Sequence, residues 1–300
     1  MTGRSEEIKS KSWEEQANKY GRYYRIQQEC SSGIVLEYPG PDLIRQHLSL
    51  IYGIGPKTAA SLRENGFETL EQLCAHPKWG RAAQEICGLI KRKKLDRLLR
   101  YGAKEEELVG FFPRSDLVFL DLETTGLSAV HPIFLVGVFY FDGPIPLIQQ
   151  FLAEDYEGEK AMLYAAGTLF SRFQVAISYN GRSFDLPYLK GRMQYHGLEW
   201  RGFPHQLDLL RQTRRYFKGQ LPDYRLTTAG SHLLAEVRED TISGREAPEK
   251  YHSFVQTGDP RLMREILLHN KEDLLTMAGL VKVISRRAQE KGKELGLDVG

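Results

Sequence analysis

The stretch LVFLDLETTGL, residues 117–127, places two acids, Asp121 and Glu123, two positions apart at the end of an apolar run. Spacing two is the strand repeat, so both carboxylates fall on one face. Unpaired carboxylates that close repel and raise each other's pKa, which calls for a positive charge between them. With only oxygen ligands and no Cys or His beside them, a hard divalent ion such as Mg²⁺ or Mn²⁺ suits the pair. A competing reading puts one acid at the core edge and has the other cap the Thr124-Thr125-Gly126 turn. This stretch alone leaves both open.

Further acids stand downstream. YNGRSFDLPYL (179–189) follows an apolar run, with a turn signal at Asn180-Gly181 and Asp185 opening the next helix, where an N-cap is the simpler role. In ILLHNKEDLLTMAGL (266–280), His269 and Asp273 are four apart and share a helix face, with Leu267, Leu274 and Met277-Ala278 as buried positions. A surface His–Asp pair is the plainer alternative. Asp208, in HQLDLL, reads as a helix N-cap or as an outer ligand.

Taken in order, DLETTG, the N(x)3FD run from Asn180 to Asp185, and HNKED from His269 to Asp273 resemble the three motifs of the DEDD exonuclease superfamily. LPDYRLTTAGSHLL (221–234) and HNKEDLLTMAGL are most similar to YprB-type ribonuclease H-like proteins. The resemblance spans roughly residues 115–285. It implies an α/β fold, a ribonuclease H-like mixed sheet flanked by helices. It also implies a metal site of Asp121, Glu123, Asp185 and Asp273 holding two Mg²⁺ or Mn²⁺ ions, with Asp121 bridging. One feature departs from the family: its Tyr stands four residues before the last Asp, or its His five, whereas here His269 occupies the four-residue slot. An imidazole can accept a proton near neutral pH, so His269 would orient or deprotonate the attacking water. Asn180 would support the site or touch nucleic acid.

The activity implied is a 3′→5′ exonuclease. An RNA-processing exonuclease or an endonuclease of the same fold is an alternative, and a non-catalytic nucleic-acid-binding adaptor is another. DNA is favoured over RNA because of LIYGIGPKTAASLRENGFETLEQL (50–73), which resembles a helix-hairpin-helix motif. There Gly53 and Gly55 would let backbone N–H groups approach a phosphate, and Lys57 and Thr58 would reinforce the contact. Such contacts grip a backbone without reading sequence. A hairpin used only for packing is the other possibility.

The elements around these motifs follow from pattern. Runs at 117–123, 133–141 and 147–153 read as strands in an antiparallel meander, then come a helix over 159–173 and a strand over 175–179. Helices follow near 185–196, 208–217 and 226–235, and Asp259-Pro260 opens a last long one. The polar stretch 1–32, with Trp13, Tyr20, Tyr23 and Tyr24, is either a packed helix or an arm, and IVLEYPG (34–40) a short strand. The expected division is 1–40 as an arm with that strand, 41–110 as the helix-hairpin-helix domain and 111–300 as the ribonuclease H-like domain.

The 300 residues, 41% hydrophobic and 27% charged, suit a soluble globular protein of two parts. No apolar run approaches membrane-spanning length and the first residues have no signal core, so a cytoplasmic protein without membrane contact is expected. Cys30, Cys74 and Cys87 are too few and scattered for a disulfide framework or a zinc site. Net charge is only +2, but nine Lys or Arg face two acids over 76–104 and eight face three over 181–218. Either run could be a phosphate footprint or a solvated helix face.

Overall fold

A computed structural model describes residues 13–30, 38, 42–235, 238–240, 242 and 244–294. The strand expected over 34–40 lies outside them, Tyr38 excepted. Of the polar N-terminal stretch, the described residues 13–30 are strand rather than helix. β1 (Glu14–Asn18) and β2 (Gly21–Glu29) form a hairpin whose second strand pairs antiparallel with the sheet. Its aromatics cover that edge, with Trp13 edge-on to Tyr24 at 5.6 Å and to Phe254 at 6.2 Å.

Residues 42–109 are helical: α1 (Asp42–Arg45), α2 (Pro56–Glu64), α3 (Leu70–Leu73), α4 (Gly80–Lys91), α5 (Leu95–Arg100) and α6 (Glu105–Val109). They enclose a core of their own that includes Leu48, Ile54, Ala59, Leu62, Leu73, Ile86 and Leu98. The acidic run of α6 is a clasp. Glu105 pairs with Arg182 and Arg211, and the buried Glu106 pairs with Arg215 and accepts from the Tyr216 hydroxyl at 2.6 Å. Glu107, also buried, lies 3.0 Å from His47 Nδ1. Several cations of the second basic run are therefore engaged in holding the chain together. Lys91, Arg92, Lys93 and Lys94 of the first are exposed.

Alternation then builds the sheet. β3 (Leu117–Thr124) sends Val118, Leu120 and Leu122 to one face and Leu117 and Phe119 to the other. β4 (Ile133–Asp142) and β5 (Ile145–Leu152) complete the expected meander. α7 (Glu159–Phe170) leads to β6 (Val175–Ser178), which runs parallel to β3, and α8 (Asp185–Tyr195) leads to β7 (His205–Asp208), parallel to β6. Sheet order is β1-β2-β5-β4-β3-β6-β7. β7 is a strand that the sequence pattern did not announce, four residues long and ending where Asp208 begins a helix.

The remaining helices are α9 (Leu209–Tyr216), α10 (Leu226–Leu233), α11 (Ala247–Thr257) and α12 (Pro260–Glu294). α7 and α8 bury Met162, Leu163, Ala166, Leu186 and Leu189 against one face of the sheet. α9 and α12 bury Leu209, Tyr216, Leu274, Met277 and Val281 against the other. Each such side chain contributes about 1.5–3 kcal/mol when fully buried. Gly258, at φ 68°, stops α11 in the left-handed conformation. At the next residue, the Asp259 carboxylate accepts from the Arg261 amide at 3.0 Å and starts α12 with Pro260 at its head.

Candidate active site

Asp121 and Glu123 lie on the α12 face of β3, opposite Gly137 and Leu135 of β4, just before a register shift that ends the pairing. The following turn is tied by its own groups: Thr124 Oγ1 donates to the Gly126 carbonyl at 2.8 Å and the Tyr188 hydroxyl donates to the same oxygen at 2.9 Å. Asp185 is the first residue of α8, with Phe184 as the cap, so it is not itself the N-cap. Its own amide and that of Leu122 in β3 lower its carboxyl pKa, against the larger opposing effect of burial. Asp273 projects from α12.

The electrostatics tie these four together. Burial pushes the Asp121 carboxyl well above its ordinary value, and Asp273, Glu123 and Asp185 add to the rise. Glu123 is raised for the same reasons, burial first, then Asp273 and Asp185. Asp185 is pushed up to about 7 by burial, with smaller repulsion from Asp208 and Asp273. Acids so arranged hold protons unless a cation offsets them.

Two of the four acids meet a side-chain donor. Asn270, fully buried, donates to Asp121 Oδ2 at 2.7 Å. Gln150 of β5 supports it, donating to Asn270 Oδ1 and to the Leu267 carbonyl, both at 2.8 Å. Gly137 makes room for this relay, because a Cβ there would collide with the Asn270 side chain. Asp273 Oδ1 accepts from Arg238 Nη1 at 2.5 Å. Asp240 accepts from Arg238 Nε and Nη2, both at 2.8 Å, and lies 2.5 Å from His269 Nδ1. Burial would raise the Asp240 carboxyl, but the bonds from Arg238 and His269 outweigh it and keep it below the ordinary range.

The expectation of four carboxylates converging on one point is therefore modified. Among the described residues, no three His, Cys, Asp or Glu side chains are grouped closely enough to hold a metal ion as they stand. Mutual repulsion explains the difference, with Asn270 drawing Asp121 and Arg238 drawing Asp273. The chemistry of the donor set still fits a hard divalent ion: carboxylates on β3, α8 and α12, partly desolvated and mutually repelling.

Other expected residues have structural duties. Asp208 caps α9, accepting from the Leu210 amide at 3.1 Å, and takes the Asn180 amide at 3.0 Å. Asn180 is exposed at φ 69°, shaping the turn into α8. Gly53 has φ 89° at the hairpin, Gly55 caps α2 and Lys57 is exposed in its first turn, with Thr58 half-buried beside it. Tyr52 is 98% exposed at the same tip. Residues that sequence reasoning missed are Asn270, Gln150, Arg238 and Asp240. Gly137 was the available signal for the first two, since a lone glycine in an apolar strand marks close approach. Arg238 and Asp240 sit in a polar connection with no periodicity to single them out.

A family model described as RNase H superfamily matches residues 118–285, over half of the chain. The chain belongs to the RNase H superfamily. Within this superfamily it is 29% identical over 184 residues to the uncharacterized protein YprB of Bacillus subtilis, covering 59% of this chain and 43% of that one. The chain thus spans less than half of YprB. It is 30% identical over 175 residues to the uncharacterized protein MJ0365 of Methanocaldococcus jannaschii, covering 55% of this chain and 93% of that one. A 76-residue match, 32% identical, links a quarter of this RNase H-superfamily chain to 8% of DNA polymerase 1 of Aeropyrum pernix. Among the described residues, no helix is long and apolar enough to cross a membrane.

Proposed function

We propose that this chain is a metal-dependent nuclease, a 3′→5′ exonuclease of DEDD type acting on DNA. The observation that carries the reading is the mutual electrostatic coupling of Asp121, Glu123, Asp185 and Asp273, four acids from β3, α8 and α12. A fold stabilised for its own sake gains nothing from drawing four carboxylates together with one arginine beside them; catalysis does. These four would hold two Mg²⁺ or Mn²⁺ ions. When bound, such ions stabilise charge on the attacking and leaving oxygens of an in-line displacement at phosphorus. Asp121 is the bridging candidate, its Oδ2 steadied by Asn270. His269 would accept the proton of the attacking water through Nε2. The N-terminal region, 41–110, would grip the phosphate backbone through the Gly53–Thr58 hairpin, with Asn180 nearer the chemistry in 111–300.

The test is a time course on end-labelled single- and double-stranded DNA and RNA, with Mn²⁺ or Mg²⁺, comparing wild type with Asp121→Asn. A ladder that shortens from the 3′ end, absent in the variant and in EDTA, is the expected result. Internal cuts lost in the same variant would keep the site and change the reaction. Binding without cleavage would replace the nuclease with an adaptor.

A further inference from the structure

The connection between α10 and α11 presents two charged residues to the flank of α12 that carries His269 and Asp273. Asp240 is the hub. Its Oδ1 accepts from Arg238 Nε, and its Oδ2 accepts from Arg238 Nη2 and faces His269 Nδ1 at 2.5 Å. The side chains of Asp240 and His269 are 5% and 7% exposed. A carboxylate that takes both prongs of an arginine is an acceptor only, so the proton between it and His269 belongs to Nδ1. A neutral ring held in that way has its lone pair on Nε2. That nitrogen lies 3.8 Å from Asp273 Oδ2. The gap is too long for a direct hydrogen bond. Through Arg238 Nη1 the same hub also fixes Asp273 Oδ1 at 2.5 Å.

We infer that Asp240 is a positioning residue of the proposed nuclease site, holding His269 with Nδ1 protonated and Nε2 turned as an acceptor toward Asp273. The inference rests on the nuclease reading and adds to it a residue outside the three motifs. A purely structural Asp240 would only pin the connection to α12, and the two roles separate in measurement. In the full-length ¹⁵N-labelled protein, in EDTA and at a pH where the ring is neutral, the His269 nitrogen shifts should report the Nδ1–H tautomer. Asp240→Ala should lose that preference. It should also lower kcat roughly 10–100-fold, the range for removing an outer-shell partner, with KM unchanged. Asp240→Asn retains an acceptor for Nδ1 and should recover part of both losses. In a His269→Ala background, Asp240→Ala should cost less than it does in the wild type, only the route through Arg238 to Asp273 being left. An Nε2–H tautomer in the wild type, or an equal loss in the His269→Ala background, would overturn the inference while leaving the nuclease intact. If Asp240→Ala does not fold, the wild-type tautomer and Asp240→Asn decide. An Nδ1–H ring in a protein that cleaves no substrate would overturn the nuclease reading, and the role of Asp240 with it.

Discussion

Two carboxylate–arginine–histidine networks lie on opposite faces of one sheet, and they are built to different ends. On the α7–α8 face, Glu159 accepts from Arg192 Nε at 2.8 Å, from Arg192 Nη2, from the Ile133 amide at 2.8 Å, and meets His196 Nε2 at 2.7 Å. Arg192 spends its remaining nitrogen on the Ala129 and Val130 carbonyls. Every charge there is met, and the loop after the DLETTG turn is held as a result. On the α12 face, Asp240, Arg238 and His269 form a similar set, but their outer edge is Asp273, a member of a carboxylate group with too little positive charge. The first network closes on itself. The second opens onto a place where a cation is wanted.

The largest effect should come from breaking the closed network. Glu159→Gln leaves the Arg192 guanidinium, 5% exposed, without its counter-charge. Removing one partner of a buried pair costs about 3–5 kcal/mol. Urea unfolding should therefore show a midpoint far below wild type. A near-unchanged midpoint would mean that water reaches Arg192 and that the network is less closed than its geometry.

The open side should respond in the opposite sense. Asp121→Asn removes one repelling charge, so the metal-free protein should gain stability. Cleavage should fall by roughly 10²–10³-fold, the scale of losing one transition-state-stabilising group. Thermal melts in EDTA and the nuclease time course check the two halves separately. A variant that melts lower in EDTA would contradict the account of strained carboxylates.

How far these networks could be read from the sequence follows from their chemistry. Asp121 and Glu123 stood out because spacing two on a strand is a geometric rule, and His269 and Asp273 because spacing four on a helix is another, whereas Asp185 obeys neither and stood out only through the order of the motifs. The meander β3–β5 was legible because its runs are apolar on both faces. The β1–β2 hairpin was not. GRYYRIQQE is the last strand but one at its end of the sheet with every position exposed or half-buried, so burial imposes no clean alternation. Arg238 and Asp240 were not legible because two charges in a polar connection acquire meaning only when folding sets them on α12. Glu159 looked like an ordinary first-turn acid until Arg192 and His196, more than thirty positions later, reached it.

A smaller effect should follow from loosening Asp121 without touching its charge. Asn270→Ala removes the donor to Oδ2 and strands Gln150. The expected loss is roughly 10–100-fold in metal affinity or activity, as for other outer-shell partners. Gly137→Ala should act in the same direction by crowding Asn270. Isothermal titration with Mn²⁺ reads both, and unchanged binding in the two variants would remove Asn270 from the site's support.

Proton linkage sharpens the comparison further. Asp121, Glu123 and Asp185 have folded-state pKa values raised above the unfolded values, so the metal-free fold binds protons that the unfolded chain releases. Their contribution to stability is fully present below the ordinary carboxylate value and is lost as pH rises through about 7, the value for Asp185. In EDTA the melting temperature should fall across that window. Mn²⁺ at a hundredfold excess over its Kd should restore about 2.7 kcal/mol at the alkaline end, and much less at pH 4, where the ligands are protonated. Asp121→Asn takes one of these three groups out of the titration and should flatten the profile. A profile equally steep in that variant would assign the linkage elsewhere.

The smallest effect tests whether the two histidines differ as their networks do. His196 lies at the end of α8, 16% exposed, and offers Glu159 a third partner. After His196→Ala, Glu159 keeps both Arg192 bonds and the Ile133 amide, so the loss should be about 1 kcal/mol, that of a single hydrogen bond. Cleavage should not change, because His196 lies at the opposite end of α8 from Asp185 and its hydrogen bond goes to Glu159. His269 has the same kind of partner in Asp240, yet its second nitrogen faces Asp273 and not solvent. If His196→Ala lowered kcat without lowering the melting temperature, the division between a closed and an open network would fail. The loop held by Arg192, which follows directly from the turn after Glu123, would then have to carry the effect.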